Sequence, residues 1–392
     1  MKFLLLFVLI ISTGTLAAEP GRVLLEVTEP AGVHRDGAPV HVELVLPVPV
    51  AVSAGFRLLH EGKPITAQFR PQGSGEKTSE WWLDFIAKSV PHETRKYVVE
   101  YGPNVKPGPE RTRGHKLIRR NDSYVVSNAP YIDWTVPRDF RGFLRSVDFT
   151  PIEHLRPNSI GLTVQDRNGK TYQLGGAGVK SSVLRECTLT VALRGVSWKA
   201  DLIFPGPVSW VELRLTIDDP ENRVREAGMQ LNLNLDKPDR RNRTIVELGA
   251  ARTIYRSLIG TEAVELRANK KATQSWQIFR SVGGKLEPFQ VASKNRVPAE
   301  GWAHVMDRKR CLAIAFDRFG EQSEDRLNIR ADGVFTASKR FDAEASSNGK
   351  PQKHWKAWLH FVYFPPQQSA NSDPYMMQNP MRVRQRPVKK GP

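Results

Sequence analysis

Short runs of alternating apolar and polar residues, rich in β-branched side chains, recur along most of the chain. Successive side chains of a strand point to opposite faces, so this two-residue period predicts half-buried β-strands. The clearest predicted strands are Val23–Val27, Val40–Leu46, Tyr97–Tyr101, Ser123–Ser127, Leu189–Leu193, Val211–Ile217 and Leu312–Phe316. Helical periods are scarce, and the best candidate for a short helix, Glu300–Asp307, also fits a loop.

Turn signals separate these runs at intervals of roughly 8 to 12 residues. Asp36-Gly37, Asn168-Gly169 and Asp332-Gly333 are typical of tight turns, because Asn, Asp and Gly tolerate the positive φ that such turns require. The sequence therefore predicts an all-β protein, with a small N-terminal β-barrel domain followed by a large antiparallel β-sandwich.

Proline and glycine residues between positions 103 and 114 interrupt the strand pattern and predict a domain boundary. We expect a small β-barrel domain at residues 20–105 and the β-sandwich at residues 115–384, where no comparable break occurs. Residues 385–392 are basic, contain proline and lack apolar periodicity, so we expect a disordered tail.

The N-terminus has the pattern of an export signal. Lys2 precedes an apolar run from Phe3 to Ile11, and small residues follow as far as Ala18. We interpret residues 1–17 as a signal peptide, which predicts a secreted or periplasmic protein. The run is too short for a bilayer core of roughly 30 Å, which needs about 20 apolar residues, and no similar stretch recurs, so we expect no integral membrane segment.

The chain is strongly basic, with 58 Lys and Arg against 41 Asp and Glu and a net charge of +17. Such a surface favours polyanions, namely acidic polysaccharide, an anionic cell wall or nucleic acid, although general solubility explains it equally well. The basic residues are scattered and match no nucleic-acid-binding motif, so we expect no nucleic-acid partner.

The chain has two cysteines, Cys187 and Cys311, which could form one disulfide or remain two buried thiols. Two isolated cysteines cannot supply a tetrahedral metal site, and the nine histidines are dispersed. Nucleotide-binding loops and the serine-hydrolase elbow are absent from the sequence. We therefore expect no metal and no cofactor.

The N-terminal region carries a series of short motifs in a characteristic order and spacing. They are Val48-Pro49-Val50, Gly55-Phe56-Arg57-Leu58-Leu59, Gly62-Lys63-Pro64-Ile65-Thr66-Ala67-Gln68, Glu80-Trp81-Trp82-Leu83-Asp84-Phe85 and Lys96-Tyr97-Val98-Val99-Glu100-Tyr101-Gly102. Together these motifs resemble the small-barrel domain of exo-rhamnogalacturonan-lyase-like proteins. The region from Ile118 to Arg384 is similar in outline to the central β-sandwich of that family, including the stretches 228–233 and 373–380.

The resemblance implies contact with polysaccharide, in particular with acidic, pectin-like chains. Larger members of the family continue into an α/α toroid that helps form the catalytic cleft, and this chain ends where the toroid would begin. Lyase activity is therefore not carried over. The chain could be a binding module, or it could need a separate catalytic chain.

The densest cluster of chemically useful side chains is 354–360. On an extended strand His354, Lys356, Trp358 and His360 share one face, and Trp355 lies on the other. Two histidines, a lysine and a tryptophan could bind an anionic sugar, with His354 and His360 as candidate catalytic bases. We favour the plainer interpretation, in which the tryptophans fill the core and the histidines and lysine face water.

A second cluster lies at 131–141. Tyr131 is a further candidate catalytic residue, and the others combine an aromatic ring for stacking on a sugar with guanidinium groups that can grip carboxylates. Its binding candidates are Trp134, Arg138 and Arg141, alongside Trp355, Lys356 and Trp358 in the first cluster. A hairpin with ordinary aromatic packing explains the same residues.

The sequence thus predicts an exported protein that binds acidic polysaccharide without catalysis. One alternative is a polysaccharide lyase that cleaves uronate-containing glycans by β-elimination. The other is a structural or adhesion component of the cell envelope.

Overall fold

The computed structural model divides the chain into two compact units, Met1–Thr112 with Pro380–Pro392, and Arg113–Asn379. Its regular elements are almost entirely antiparallel strands, as the alternating pattern predicts. The signal peptide expected at residues 1–17 lies outside the described residues. The described residues are 19–73, 75–110, 115–128, 131–149, 151–175, 187–190, 193, 195–206, 208–250, 253–292, 298–341, 352–362 and 373–387.

The small unit contains two antiparallel sheets. Its strands are β1 (Gly21–Thr28), β2 (Arg35–Ala51), β3 (Gly55–His60), β4 (Lys63–Ile65), β5 (Ala67–Pro71), β6 (Lys77–Ser89), β7 (Thr94–Gly102) and, from the end of the chain, β29 (Arg382–Pro387). Sheet A has the order β29-β1-β7-β3-β4, and sheet B has the order β2-β6-β5. Side chains that alternate along β1, β2, β6 and β7 enclose one apolar core, which gives the predicted small barrel.

The last strand corrects the expected disordered tail. Residues 385–387, expected to be disordered, belong to β29, which pairs with β1 from Val23 opposite Pro387 to Thr28 opposite Arg382. Val383 packs against the small core, and Arg386 forms an ion pair with Glu26 at 2.8 Å. The basic side chains do not prevent strand formation, because an edge strand tolerates charge on its exposed side.

The described residues of the large unit form three sheets and one short helix. Its strands are β8 (Lys116–Arg119), β9 (Ser123–Asn128), β10 (Ile132–Pro137), β11 (Ser146–Phe149), β12 (Ile152–Glu153), β13 (Gly161–Asp166), β14 (Thr171–Gln173), β15 (Cys187–Thr190), β16 (Ser197–Ile203), β17 (Trp210–Asp218), β18 (Val224–Asn232), β19 (Thr244–Gly249), β20 (Thr253–Leu258), β21 (Ala263–Ala268), β22 (Trp276–Val282), β23 (Lys285–Val291), β24 (Trp302–Met306), β25 (Cys311–Phe316), β26 (Asp325–Arg330), β27 (Val334–Arg340) and β28 (Gln352–Val362). The helix is α1 (Asp373–Gln378).

These strands build a large sandwich. Sheet C has the order β12-β11-β10-β9-β8, sheet D the order β14-β13-β18-β27-β26-β21-β22-β23, and sheet E the order β15-β16-β17-β28-β25-β24-β19-β20. Buried side chains of all three sheets form one continuous apolar core. The predicted antiparallel β-sandwich is therefore present, and sheet E carries the residues that matter most below.

The helix expected at Glu300–Asp307 is wrong. Residues 302–306 form strand β24, which pairs with both β19 and β25. All five of its residues are buried, so the run Trp302-Ala303-His304-Val305-Met306 shows no clear alternation between apolar and polar positions. Buried strands of this kind cannot be distinguished from buried helices by periodicity alone.

The sheet order also bears on the two cysteines. Cys187 lies on β15 and Cys311 on β25, and strands β16, β17 and β28 separate them in sheet E. At about 4.8 Å per strand their Cα atoms lie at least about 19 Å apart, well beyond the roughly 7 Å that a disulfide allows. The sheet therefore keeps the two cysteines from bridging.

Among the described helical residues, none forms a helix long and apolar enough to cross a membrane.

Candidate functional site

Sheet E has an inner face that packs into the sandwich core. Side chains at odd-numbered positions of β17 and β28 and at even-numbered positions of β25 point inward. They are Val211, Leu213, Leu215, Trp355, Ala357, Leu359, Phe361, Leu312, Ile314 and Phe316. The inner face is therefore apolar along β17, β25 and β28, as the core of a sandwich requires.

The opposite side of sheet E, which we call the outer face, has a different composition. The central strand β25 presents only small side chains there, Cys311, Ala313 and Ala315. The neighbouring strands present large ones, Trp302 and His304 from β24, and Trp358 and His360 from β28. We call this strip of small residues between two rows of large ones the groove; its residues are all buried.

A buried histidine–carboxylate pair lies beside this groove. The Nδ1 atom of His304 and Oε2 of Glu247 are 2.8 Å apart, and both side chains are almost fully buried. A carboxylate accepts hydrogen bonds, so Nδ1 donates its proton to Glu247. Nε2 is buried and has no hydrogen-bond partner among the described residues. A buried ring nitrogen without a partner costs about 1–3 kcal/mol, so it makes this pair a candidate for a functional role.

A second histidine lies in the same row of the sheet. His360 and His304 both pair with Ala313, from opposite sides, which places their Cα atoms about 10 Å apart. Nε2 of His360 lies 2.6 Å from Oγ of Ser209, and its ring meets Trp210 edge to face at 5.7 Å. The two histidines therefore flank the groove.

A charged network occupies the next part of the outer face, on β17 and β28. Glu212 accepts a hydrogen bond from Arg214 at 2.5 Å and from the indole of Trp358 at 3.1 Å, and it pairs with Lys356 at 3.1 Å. Burial alone would raise the pKa of the Glu212 carboxyl, but the charges of Lys356 and Arg214 outweigh it and lower the pKa to about 2. Glu212 is therefore ionised at neutral pH and fixes the Trp358 ring.

Helix α1 covers one end of the groove. Met377 is buried in a small apolar cluster with Trp302, Ala315 and Trp358. The side-chain amide of Gln378 donates to the carbonyl oxygens of Gly301 at 3.2 Å and Phe316 at 2.9 Å. The aromatic end of the outer face is thus held in place by polar and apolar contacts together.

Two predicted binding residues lie in the core instead. Trp355 points to the inner face and stacks on Phe316 with ring centroids 5.7 Å apart. Trp134 is fully buried in sheet C, where it packs against Phe204 and His115. Both rings fill the sandwich, because their strands turn those positions inward, so neither can stack on a ligand.

The other members of the 131–141 cluster are exposed and lie on a different sheet. Tyr131 is 69% exposed in the turn between β9 and β10 of sheet C. Arg138 lies 5.2 Å from the ring centroid of Tyr124, and Arg141 pairs loosely with Asp139 at 3.8 Å. These residues belong to sheet C, whereas the two histidines of the 354–360 cluster belong to sheet E.

The structure does bring together the predicted residues of β28. Lys356, Trp358 and His360 share the outer face with His354, which is exposed and lies 3.3 Å from the hydroxyl of Thr216. Glu247 and His304 were missed by sequence reasoning, because they lie 57 positions apart and each occurs in an apolar run. A polar residue inside an otherwise apolar strand was the only available signal.

Within the described ranges, no group of three His, Cys, Asp or Glu side chains is placed to hold a metal ion. The outer face offers aromatic rings, hydrogen-bonding groups and histidine side chains.

Comparisons with known proteins add only distant structural likenesses. No protein-family model matches the chain, and no curated protein matches its sequence. A protein of Escherichia coli K12, described provisionally as an aldose 1-epimerase, is 9% identical with a TM-score of 0.33, covering 64% of this chain and 99% of its own. The Slr1438 protein of Synechocystis sp. PCC 6803 is 11% identical with a TM-score of 0.32, covering 66% of this chain and 98% of its own.

Proposed function

We propose that the chain is an exported protein that binds acidic, pectin-like polysaccharide at the outer face of sheet E. The observation that carries this proposal is the convergence of three tryptophans and three histidines on one face of one sheet. Trp210 is half-buried and offers a flat apolar ring with a polar edge, which suits the face of a sugar ring. Trp302 and Trp358 are buried and pack against it. The net charge of +17 favours an acidic chain over a neutral one.

The accessible part of this surface lies around β17 and β28. Trp210, Arg214 and Lys356 are half-buried, and His354 is exposed. Lys356 also lies 4.4 Å from the ring centroid of Trp358, so a cation sits beside an aromatic surface. A uronate residue needs this combination, with a ring to stack on and a positive charge for its carboxylate.

A polysaccharide lyase is the second candidate function, and the Glu247–His304 pair favours it. Beta-elimination removes the C5 proton of a uronate and breaks the C4–O4 bond, so it needs a base and a proton for the leaving oxygen. In this proposal Nε2 of His304 takes the C5 proton, with Glu247 stabilising the resulting imidazolium. His360, across the groove, gives a proton to the departing oxygen.

Co-sedimentation of the mature protein with acidic and neutral polysaccharides tests the proposal. We expect retention on polygalacturonate and none on a neutral galactan. Lys356→Gln should weaken retention, and Lys116→Gln on β8 is the control because it removes the same charge from sheet C. Equal losses of retention in both variants would mean that the polysaccharide is held only by general electrostatic attraction to a basic protein. Absorbance of an unsaturated product, measured in the same samples, separates the lyase from the binding protein.

A further inference from the structure

An unusual pair of arginines lies at the open edge of the sandwich, away from the outer face of sheet E. Arg256 lies on β20, the last strand of sheet E, and Arg280 lies on β22, next to the last strand of sheet D. The guanidinium carbon of Arg256 is 3.5 Å from the ring centroid of Phe289 on β23, and that of Arg280 is 5.3 Å from the same centroid. Two positively charged guanidinium groups thus lie close to the same aromatic ring.

Neither arginine has an acidic partner within ion-pair distance among the described residues. Nε of Arg256 is buried and makes no hydrogen bond. The carboxylate nearest by register is Glu287, which is paired with Arg280 across the strands and is exposed, but no ion pair forms between them. Burial lowers the pKa of Arg256, and the neighbouring charge of Arg280 lowers it further. The described part of the chain therefore contains no carboxylate that neutralises these two positive charges.

A second arginine–phenylalanine pair in sheet D shows the ordinary arrangement. Arg267 lies 4.2 Å from the ring centroid of Phe279, which resembles the stacking of Arg256. Arg267 also donates to the carboxylate of Glu265, so its charge is neutralised within the protein. The difference between the two sites is the missing carboxylate, because stacking on a ring is common to both.

We propose that Arg256 and Arg280 bind an oxyanion, the carboxylate or sulfate group of a ligand, at the edge formed by β20, β22 and β23. Two guanidinium groups offer forked donors that match such groups, and a bound anion relieves the repulsion between them. Leu286, Phe289 and Val291 are partly exposed on β23 and provide an apolar border for the rest of the ligand. This site is independent of the outer face, because Arg256 shares its side of β20 with the core residues Ile254 and Leu258.

Thermal unfolding in the presence of anions tests the site. The probes are sodium sulfate and sodium galacturonate, with sodium chloride at equal ionic strength and neutral galactose as controls. An anion that binds only the folded protein raises its Tm, and we expect a rise of at least about 2 °C at saturating sulfate. Arg256→Gln and Arg280→Gln should lose this rise, whereas the matched control Arg267→Gln should keep it.

Each outcome of this experiment either supports the anion site or overturns it. A sulfate response that is equal in the wild type and in Arg280→Gln, an exposed position, overturns the site even if Arg256→Gln does not fold. A response to galacturonate that is lost in Arg280→Gln, besides the response to sulfate, assigns carboxylates as ligands. A response to sulfate alone assigns sulfate groups, and a response to neither overturns the proposal. Lys356→Gln should keep the full response to sulfate, which distinguishes a failure here from a failure of polysaccharide binding at the outer face.

Discussion

The two faces of sheet E differ in chemistry even along β24 and β25, where both faces are buried. Along β17, β25 and β28 the inner face is lined by aliphatic and aromatic side chains, which is what packing requires. The outer face buries Glu247, His304 and His360 among tryptophans and leaves a ring nitrogen of His304 without a partner. Stability alone would favour apolar residues on both faces, since buried polar groups cost free energy unless they are fully paired. The contrast is the reason for placing function on the outer face.

The largest expected effect is on the inner face. Trp355→Ala should lower the free energy of unfolding by about 3–5 kcal/mol, because it opens a cavity beside Phe316. Denaturation by urea measures this change. Polysaccharide binding per folded molecule should stay as in the wild type, and a selective loss of binding would contradict the assignment of Trp355 to the core.

The second largest expected effect is a loss of unfolding free energy in acid, caused by protonation of Glu212 on the outer face. Its pKa is about 2 in the folded protein against an ordinary value of 4.5, so its ionised form stabilises the fold. This contribution, about 3 kcal/mol, is fully present above about pH 4.5 and is lost as the pH falls through about 2. Unfolding free energies measured between pH 6 and pH 2 should fall less steeply in Glu212→Gln than in the wild type. Identical slopes would show that Glu212 is not held by Arg214 and Lys356.

Removing the charge of the buried histidine partner should have a smaller effect on stability. Glu247→Gln keeps the shape of the side chain but weakens its hydrogen bond with His304, at a cost of about 1–3 kcal/mol. If the chain is a lyase, the same variant should lose its unsaturated product while its retention on polygalacturonate is unchanged. A variant that forms product at the wild-type rate would remove the Glu247–His304 pair from the mechanism.

The smallest effect is expected outside sheet E. Tyr131 is exposed in a turn of sheet C, so Tyr131→Ala should change the free energy of unfolding by no more than about 0.5 kcal/mol. Thermal unfolding checks this expectation. A large loss of stability would mean that the tyrosine packs against more than the described structure shows.

The alternation of side chains predicted strands such as β1 and β17, because half-buried strands carry their burial pattern in the sequence. It failed for β24, where both faces are buried, and for β29, where charged residues conceal an edge strand that only pairing with β1 defines. The β28 cluster was found because its residues are neighbours in sequence. The Glu247–His304 pair was not, because only the order of β19, β24 and β25 brings the two residues to one row.

The most direct test of binding at the outer face is a calorimetric titration of the wild type, Trp210→Ala and Tyr131→Ala with an oligogalacturonate. Trp210 is half-buried beside His360, and Tyr131 is an exposed aromatic residue of a different sheet. The account predicts that Trp210→Ala weakens binding at least about tenfold, a loss of about 1.4 kcal/mol, while Tyr131→Ala binds as the wild type does. Unchanged binding in Trp210→Ala together with loss in Tyr131→Ala would contradict it and move the binding surface to sheet C.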